Sequence, residues 1–228
     1  MNYPTRIGVV GGGQLGKMLT QSAKKLGFFV TIIDPTSQSP GGQVADRQIV
    51  ADYKNEKAIL ELAKASDFIT FEIELANDKV LYKILKKGKS VNPSPKTLGI
   101  IRDKLKQKEF LNKNKIPTSD FLEIKNHNDI LNASKQFGYP LMLKARTDAY
   151  DGRGNFLVKN EKNIKDGLEK LKGRKLYVEK FVEFSKELAV MVARSTKGEI
   201  KVYPVVETIH KDNICDIVIA PAIISKKA

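Results

Sequence analysis

The stretch Ile7–Asp34, IGVVGGGQLGKMLTQSAKKLGFFVTIID, decides how the first part of the chain is read. An apolar run leads into glycines at Gly11, Gly13 and Gly16; a helical pattern follows, and a second apolar run closes on an acid, Asp34. The helical spacing puts Leu15, Met18, Leu19 and Ala23 on one face and predicts an end at Gly27, which makes a strand–helix–strand unit. Glycines at these positions permit a tight strand-to-helix turn and let backbone N–H groups at a helix N-terminus approach an anion, while Asp34 is placed to accept from a ribose hydroxyl. Two readings stay open here: a nicotinamide dinucleotide site, or a turn that needs glycine for packing alone. A dehydrogenase also needs a group downstream to handle the hydride chemistry, and His127 and His210 are the only 2 histidines.

Outward from this unit the alternation continues. The runs QIVAD (48–52), KAILELAKAS (57–66), DFITFE (67–72) and DKVLYKILKKG (78–88) predict a parallel sheet with helices on both faces. VNPSPKTLG (91–99) then punctuates the chain with two prolines, and an amphipathic segment over 98–115 follows, closed by IPTSD. Beyond it the texture becomes β-rich, with FLEI, YPLMLKAR, NFLVKN, KLYVEKFV, KELAVMVARS and EIKVYPVVETIH, and helical inserts near 128–137 and 163–171. A second, α+β region is expected.

Composition bounds the function. With 228 residues, 41% hydrophobic and 29% charged, the chain is long enough for one large domain or two small ones. The apolar runs FFVTIID and ICDIVIAPAII are far below the roughly 18 residues of a membrane span, so a soluble protein without export is expected. The lone Cys215 cannot form an internal disulfide, which fits a reducing cytoplasm and rules out a thiolate cluster. The net charge of +14 is spread over separate lysine-rich segments that read as wet helix faces or as a basic surface for phosphorylated small molecules. Nucleic-acid binding is not expected, since no aromatic stacking run accompanies the charge and tryptophan is absent.

The second half carries the more specific chemistry. In YPLMLKARTDAYDGRGN (139–155) an apolar strand ends near Lys144, and a loop with Gly152 and Gly154 follows. A lysine facing a glycine loop offers a point charge plus backbone donors for a polyphosphate; an ordinary glycine hairpin is the bland alternative. Further on, Glu179 and Glu187 flank an apolar segment, an arrangement suited to a nucleotide lying along a strand: backbone at Glu179–Val182 for the base edge, and Glu187 for ribose hydroxyls. Taken alone, either glutamate is more often a surface residue.

Taken in order, these pieces resemble the ATP-grasp superfamily, and within it the 5-(carboxyamino)imidazole ribonucleotide synthases, which join bicarbonate to aminoimidazole ribonucleotide using ATP in purine biosynthesis. The resemblance rests on GVVGGGQLGKML, IIDPTSQSPGGQVAD, NPSP, RDKLKQKEFLNKNKIPT, YPLMLKARTDAYDGRGN, VEKFVEFSKELAVMVARS and YPVVETIHKDNICDIVIAPA, spread over residues 7–222. It implies an α/β fold: a Rossmann-like parallel-sheet domain over 1–98, then an incomplete α+β ATP-grasp domain over 99–228 whose lid covers about 119–179 and whose C-terminal lobe is begun but truncated. It implies ATP contacts at Lys104, Lys144, the loop Ala149, Tyr150, Asp151, Gly152, Arg153, Gly154 and Asn155, the run Glu179, Lys180, Phe181 and Val182, then Glu187 and His210. Gly12, Gly13, Gln14, Leu15, Asp34 and Glu74 would meet the ribonucleotide, making the glycine turn a ribonucleotide-phosphate site. Tyr150, Asp151 and Arg153 would be catalytic: Arg153, with Lys144, neutralises charge as ATP phosphorylates bicarbonate to carboxyphosphate, and Asp151 takes the amine proton.

The resemblance further implies a cytoplasmic enzyme using ATP and Mg2+, a homodimer at full length, and small-molecule substrates, with no nucleic acid and no membrane. Three departures stand out. FEIELAND (71–78) replaces the usual Glu-Phe-Glu-Asn, though Glu72 and Glu74 keep both acids; Ala149 stands where a glycine is usual; and the chain stops at ISKKA before the acidic strands that carry the family's magnesium ligands. A chain ending there is expected to hold much of the nucleotide site, to lack the metal ligands and to show little synthase activity alone. The alternatives are a formate-using phosphoribosylglycinamide formyltransferase relative and a noncatalytic nucleotide-binding module.

Overall fold

The computed structural model describes residues 4–149, 154–212 and 214–225. The chain divides into two compact units, Met1–Phe110 and Leu111–Ala228.

In the first unit, β1 (Arg6–Val10), α1 (Gln14–Lys25), β2 (Phe29–Asp34), β3 (Arg47–Val50), α2 (Glu56–Ala65), β4 (Phe68–Phe71), α3 (Asp78–Lys86), β5 (Ser90–Val91) and α4 (Pro95–Ile101) lead to α5 (Lys104–Lys113). The strands form one sheet in the order β3-β2-β1-β4-β5, parallel throughout. Successive strand residues point to opposite faces. Val9, Val30 and Ile32 accordingly pack with Ala23 of α1, whereas Val10 and Ile33 pack with Ile59 and Leu62 of α2 and Leu81 of α3. The sheet is thus covered on both sides, which is why its central strands read as unbroken apolar runs.

Helix starts follow local capping. The Asn55 and Asn77 side chains accept from the Ala58 and Val80 N–H groups at the heads of α2 and α3, and Ser94 with Pro95 opens α4. The amphipathic segment over 98–115 forms two helices because Asp103 intervenes: its Oδ1 accepts from Leu105 N–H at 3.2 Å and Lys106 N–H at 3.4 Å, starting a new helix.

Helix α1 lies rotated from its sequence reading. It buries Gly16, Thr20 and Ala23, while Leu15 and Met18 are 61% and 56% exposed. The cause is steric. A Cβ on Gly16 would lie 2.6 Å from Gly11 O, so only glycine lets the helix press this close to the turn, and that closeness outweighs the burial of the leucine stripe. Thr20 Oγ1 donates to Gly16 O at 2.7 Å on the same buried side.

In the second unit, β6 (Phe121–Ile124), α6 (His127–Phe137), β7 (Leu141–Ala145), β8 (Asn155–Val158), a 3-10 turn at Glu161–Asn163, α7 (Ile164–Lys170) and β9 (Leu176–Lys180) build an antiparallel sheet in the order β6-β9-β7-β8. Its core joins Ile130 of α6 and Ile164 of α7 to Leu141, Leu143, Val158 and Val178. Asn126 and Asp129 close a reciprocal cap at the head of α6. After β9 come β10 (Glu187–Ala189), β11 (Val192–Arg194), β12 (Ile200–Val202), β13 (Val206–Lys211) and β14 (Ile214–Ile219), forming a three-stranded sheet β10-β13-β14 and a hairpin β11-β12. The β-rich runs KELAVMVARS and EIKVYPVVETIH each supply two strands; in the second, Pro204 has no N–H for a ladder. The apolar side chains here, including Leu188, Val218 and Ile223, are exposed.

Two expectations follow. Gly16→Ala should destabilise the first unit by roughly 1–3 kcal/mol, as overpacking does, while Leu15→Ala should stay within about 0.5 kcal/mol. Urea unfolding of both variants checks this, and a larger loss at Leu15 would contradict the observed rotation of α1. The second concerns Asp67, whose Oδ1 and Oδ2 take Arg6 Nη2 at 2.7 Å and Arg6 N at 2.9 Å. The Arg6 side-chain hydrogen bond, then the backbone one, holds this carboxyl at about 2, below its ordinary 3.8. A depressed carboxylate stabilises the fold above its unfolded pKa and loses that contribution as pH falls toward 2. The stability gap between wild type and Asp67→Asn, measured by thermal unfolding, should therefore shrink across that acid range and stay constant at neutral pH.

Candidate nucleotide and ribonucleotide sites

In the second unit the strand pattern of β7 points Leu141, Leu143 and Ala145 into the core and leaves Lys144 on the opposite face. Lys144 lies across from Tyr177 on β9 and Asn155 on β8. Its Nζ is 3.5 Å from Glu179 Oε1, with side chains 24% and 11% exposed. Glu179 is held from two further directions. Tyr177, fully buried two residues earlier on the same strand face, donates to Oε1 at 2.8 Å, and Ser119 Oγ donates to Oε2 at 3.0 Å. A buried carboxylate requires such donors. β7 and β8 pair as an antiparallel hairpin across this loop, and Lys144 finds a partner in Glu179, so a cation and a carboxylate stand together near the end of β7.

The loop after β7 returns at Gly154, where an added Cβ would fall 2.2 Å from Ala149 Cβ. Gly154 O accepts from Ala145 N–H at 2.8 Å, which closes the base of the loop. Ala149 is half-buried. The expected catalytic residues Tyr150, Asp151 and Arg153, with Gly152, lie outside the described residues. Along Glu179–Val182, the N–H groups of Lys180 and Phe181 are bonded to Asp120 O and Pro140 O, so a base edge meeting this run would use its carbonyls or Val182, which is exposed. Glu187 on β10 lies directly across from Thr208 on β13, and its Oε2 is 3.6 Å from His210 Nδ1. Phe184, Lys186, Glu187, Thr208 and His210 line a cleft of about 270 Å³.

In the first unit the glycine turn is occupied by the chain's own carboxylates. Gly12 N–H donates to Asp34 Oδ2 at 2.9 Å and Gly13 N–H to Glu72 Oε1 at 3.1 Å. Asp34 is buried and also accepts from Thr36 N–H at 2.8 Å and Tyr53 Oη at 3.0 Å. Partial burial, followed by the bond to Asp34, pushes the Tyr53 phenol up to about 12, so it remains a donor at neutral pH. Asp34 is turned inward and holds the turn, and Gly12, whose N–H it takes, is buried with it. Gly11, at φ +106°, packs against Glu72, where a Cβ would come within 2.6 Å of Oε1. Gly13 is the N-cap of α1; Gln14 and Leu15 form its first turn and are exposed, and Glu74 is half-buried in the loop after β4. Lys104, the first residue of α5, is half-buried in the first unit.

Sequence reasoning missed Tyr53, Ser119, Tyr177 and Thr208. Tyr177 alone carried a local signal, since strand residues two apart share a face with Glu179. Among the described residues no group of three or more His, Cys, Asp or Glu side chains is gathered as a metal would require.

Comparison with known proteins gives these sites a context. Residues 4–102 match the ribonucleotide synthetase preATP-grasp domain, and residues 109–228 match the ATP-grasp domain. Phosphoribosylaminoimidazole carboxylase of Candida albicans is 43% identical over 222 residues, 95% of this chain and 39% of the relative. The crystal structure of N5-carboxyaminoimidazole synthetase from Staphylococcus aureus complexed with ADP superposes with a TM-score of 0.95 at 33% identity, covering 100% of this chain and 61% of that one. The N5-carboxyaminoimidazole synthase of Aspergillus clavatus, in complex with ADP and 5-aminoimidazole ribonucleotide, superposes with a TM-score of 0.90 at 38% identity, covering 98% and 58%. The chain therefore spans about two fifths to three fifths of the relatives it matches. With the ATP-grasp match covering more than half its length and the preATP-grasp match most of the rest, the chain belongs to the ATP-grasp family.

Proposed function

We propose that this chain carries the ribonucleotide side and much of the ATP side of an enzyme that carboxylates 5-aminoimidazole ribonucleotide with bicarbonate, giving 5-(carboxyamino)imidazole ribonucleotide. The observation that carries the reading is the superposition of the whole chain on a synthetase complexed with ADP, together with the Lys144–Glu179 pair at the mouth of the glycine loop. In this reading the terminal phosphoryl group passes from ATP to a bicarbonate oxygen, leaving ADP and carboxyphosphate. Carboxyphosphate then breaks its C–O bond to phosphate, and the released carbon dioxide is attacked by the substrate amine.

The protein's own groups position reactants and balance charge. Lys144 turns toward the polyphosphate; Arg153 and Tyr150 attend the carboxylating group; Asp151 takes the proton lost by the amine as the new C–N bond forms. Glu187 and His210 hold the nucleoside end, and the exposed first turn of α1, at Gln14 and Leu15, meets the ribonucleotide with Glu74. Gly12 and Asp34 keep that turn in shape. Magnesium belongs to the reading as a companion of the ATP phosphates; the described residues do not gather a ligand set for it, and no step is assigned to one. The enzyme is read as cytoplasmic and, at full length, as a homodimer.

The test is phosphate release from ATP by the protein carrying this chain. Release that requires bicarbonate and aminoimidazole ribonucleotide together supports the reading; release driven by formate and glycinamide ribonucleotide overturns it in favour of a formyltransferase. At the level of binding, Lys144→Ala should weaken ATP affinity by roughly 10- to 150-fold, the range of a hydrogen bond to a charged group. Lys172→Ala, at a side chain 76% exposed beside Glu169, should leave it unchanged. Equal affinities in calorimetry would remove Lys144 from the site.

A further inference from the structure

Thr208 presents a polar group that the fold itself does not use. Its Oγ1 is shielded from water and has no hydrogen-bond partner among the described residues. A buried hydroxyl left unpaired is costly, and native structures rarely keep one without cause. Nothing in the strand ladder requires a hydroxyl here, since β13 pairs with β10 and β14 through backbone groups.

The neighbourhood says what the hydroxyl is for. Thr208 stands directly opposite Glu187 in the antiparallel β10·β13 pair, so the two side chains rise from the same sheet face with Cβ atoms ~4.5–5.5 Å apart. Both line the cleft that also holds His210. The Glu187 carboxylate now leans toward His210, at 3.6 Å, beyond hydrogen-bond length, and its side chain is 52% exposed. Thr208, with its unpaired hydroxyl, thus stands beside an acceptor held only loosely. Cross-strand neighbours at this spacing are within reach of each other's side chains.

We propose that Thr208 is a positioning residue for ribose recognition: with a nucleotide in the cleft, its hydroxyl donates to the Glu187 carboxylate and fixes it to accept from the ribose diol. This rests on the nucleotide-site reading above and adds a residue to it. Thr208 favours a ribonucleotide over a sugar without hydroxyls because its bond to Glu187 is completed only when the carboxylate is drawn to the diol. The free protein carries an unsatisfied hydroxyl, and the bound protein does not.

The test compares wild type, Thr208→Val and Thr208→Ser of this chain for binding of ATP and of 2′,3′-dideoxy-ATP by calorimetry, with thermal unfolding measured without nucleotide. Thr208→Val should bind ATP at least roughly tenfold more weakly, the lower end for one hydrogen bond to a charged group, and should bind the dideoxy nucleotide as wild type does. Thr208→Ser should restore ATP affinity. The melting temperature of Thr208→Val should be no lower than that of wild type, because an unpaired hydroxyl gives way to a methyl of the same shape. Unchanged ATP affinity in Thr208→Val, or an equal loss for both nucleotides, overturns the inference while leaving the nucleotide site in place. Failure of the wild type to bind ATP overturns the site reading and this inference with it.

Discussion

A carboxylate removed from water must be met by donors, and each unit is organised around one. In the first unit it is Asp34, at the end of β2, which gathers the N–H groups of Gly12 and Thr36 and the Tyr53 hydroxyl. These partners come from the glycine turn, the segment after β2 and the segment after β3, so one side chain ties three connections to the C-terminal end of the parallel sheet. In the second unit it is Glu179, which draws Lys144, Tyr177 and Ser119 to the face of the β6-β9-β7-β8 sheet. The cost of leaving either group unpaired, several kcal/mol for a buried charge, is what holds these loops in register.

The same constraint separates what was legible in the sequence from what was not. The parallel sheet was legible because its central strands are buried on both faces and the alternation with helices leaves few topologies. Lys144 was legible as an unlikely charge in an apolar strand. Asp34 was legible as an acid closing β2, but its turn-holding role was not: the bonds from Gly12 and Tyr53 depend on a tertiary approach. Leu15 and Met18 were misplaced because periodicity measures amphipathicity and not which face must be narrow. Gly16, which imposes the closest approach, carries no hydrophobic signal at all.

The strands from β10 onward follow a different economy. Their apolar residues, such as Ile214, Ile217 and Ile219, are exposed, and the exposed outer strand β14 is more apolar than its setting would suggest. The pattern is that of a sheet whose side chains are suited to packing, in a chain that spans about three fifths of its solved relatives. Within this region the polar residues Glu187, Thr208 and His210 converge on one face, and the cleft is formed by a single strand pair and its approach, independent of how the apolar surface is covered.

The long contact between Lys144 and Glu179 has a consequence for what the site ignores. At 3.5 Å the ammonium is neutralised but not clasped, and the lysine side chain is three-quarters shielded from solvent. A chloride or a single carboxylate arriving there would have to displace an anion already in place and would gain little more than it replaced. A chain of phosphates offers several charges at once, and Coulomb attraction in a poorly screened setting grows with each. On the nucleotide reading proposed above, the resident glutamate sets a threshold on valence: monovalent ions fall below it, and a polyphosphate exceeds it.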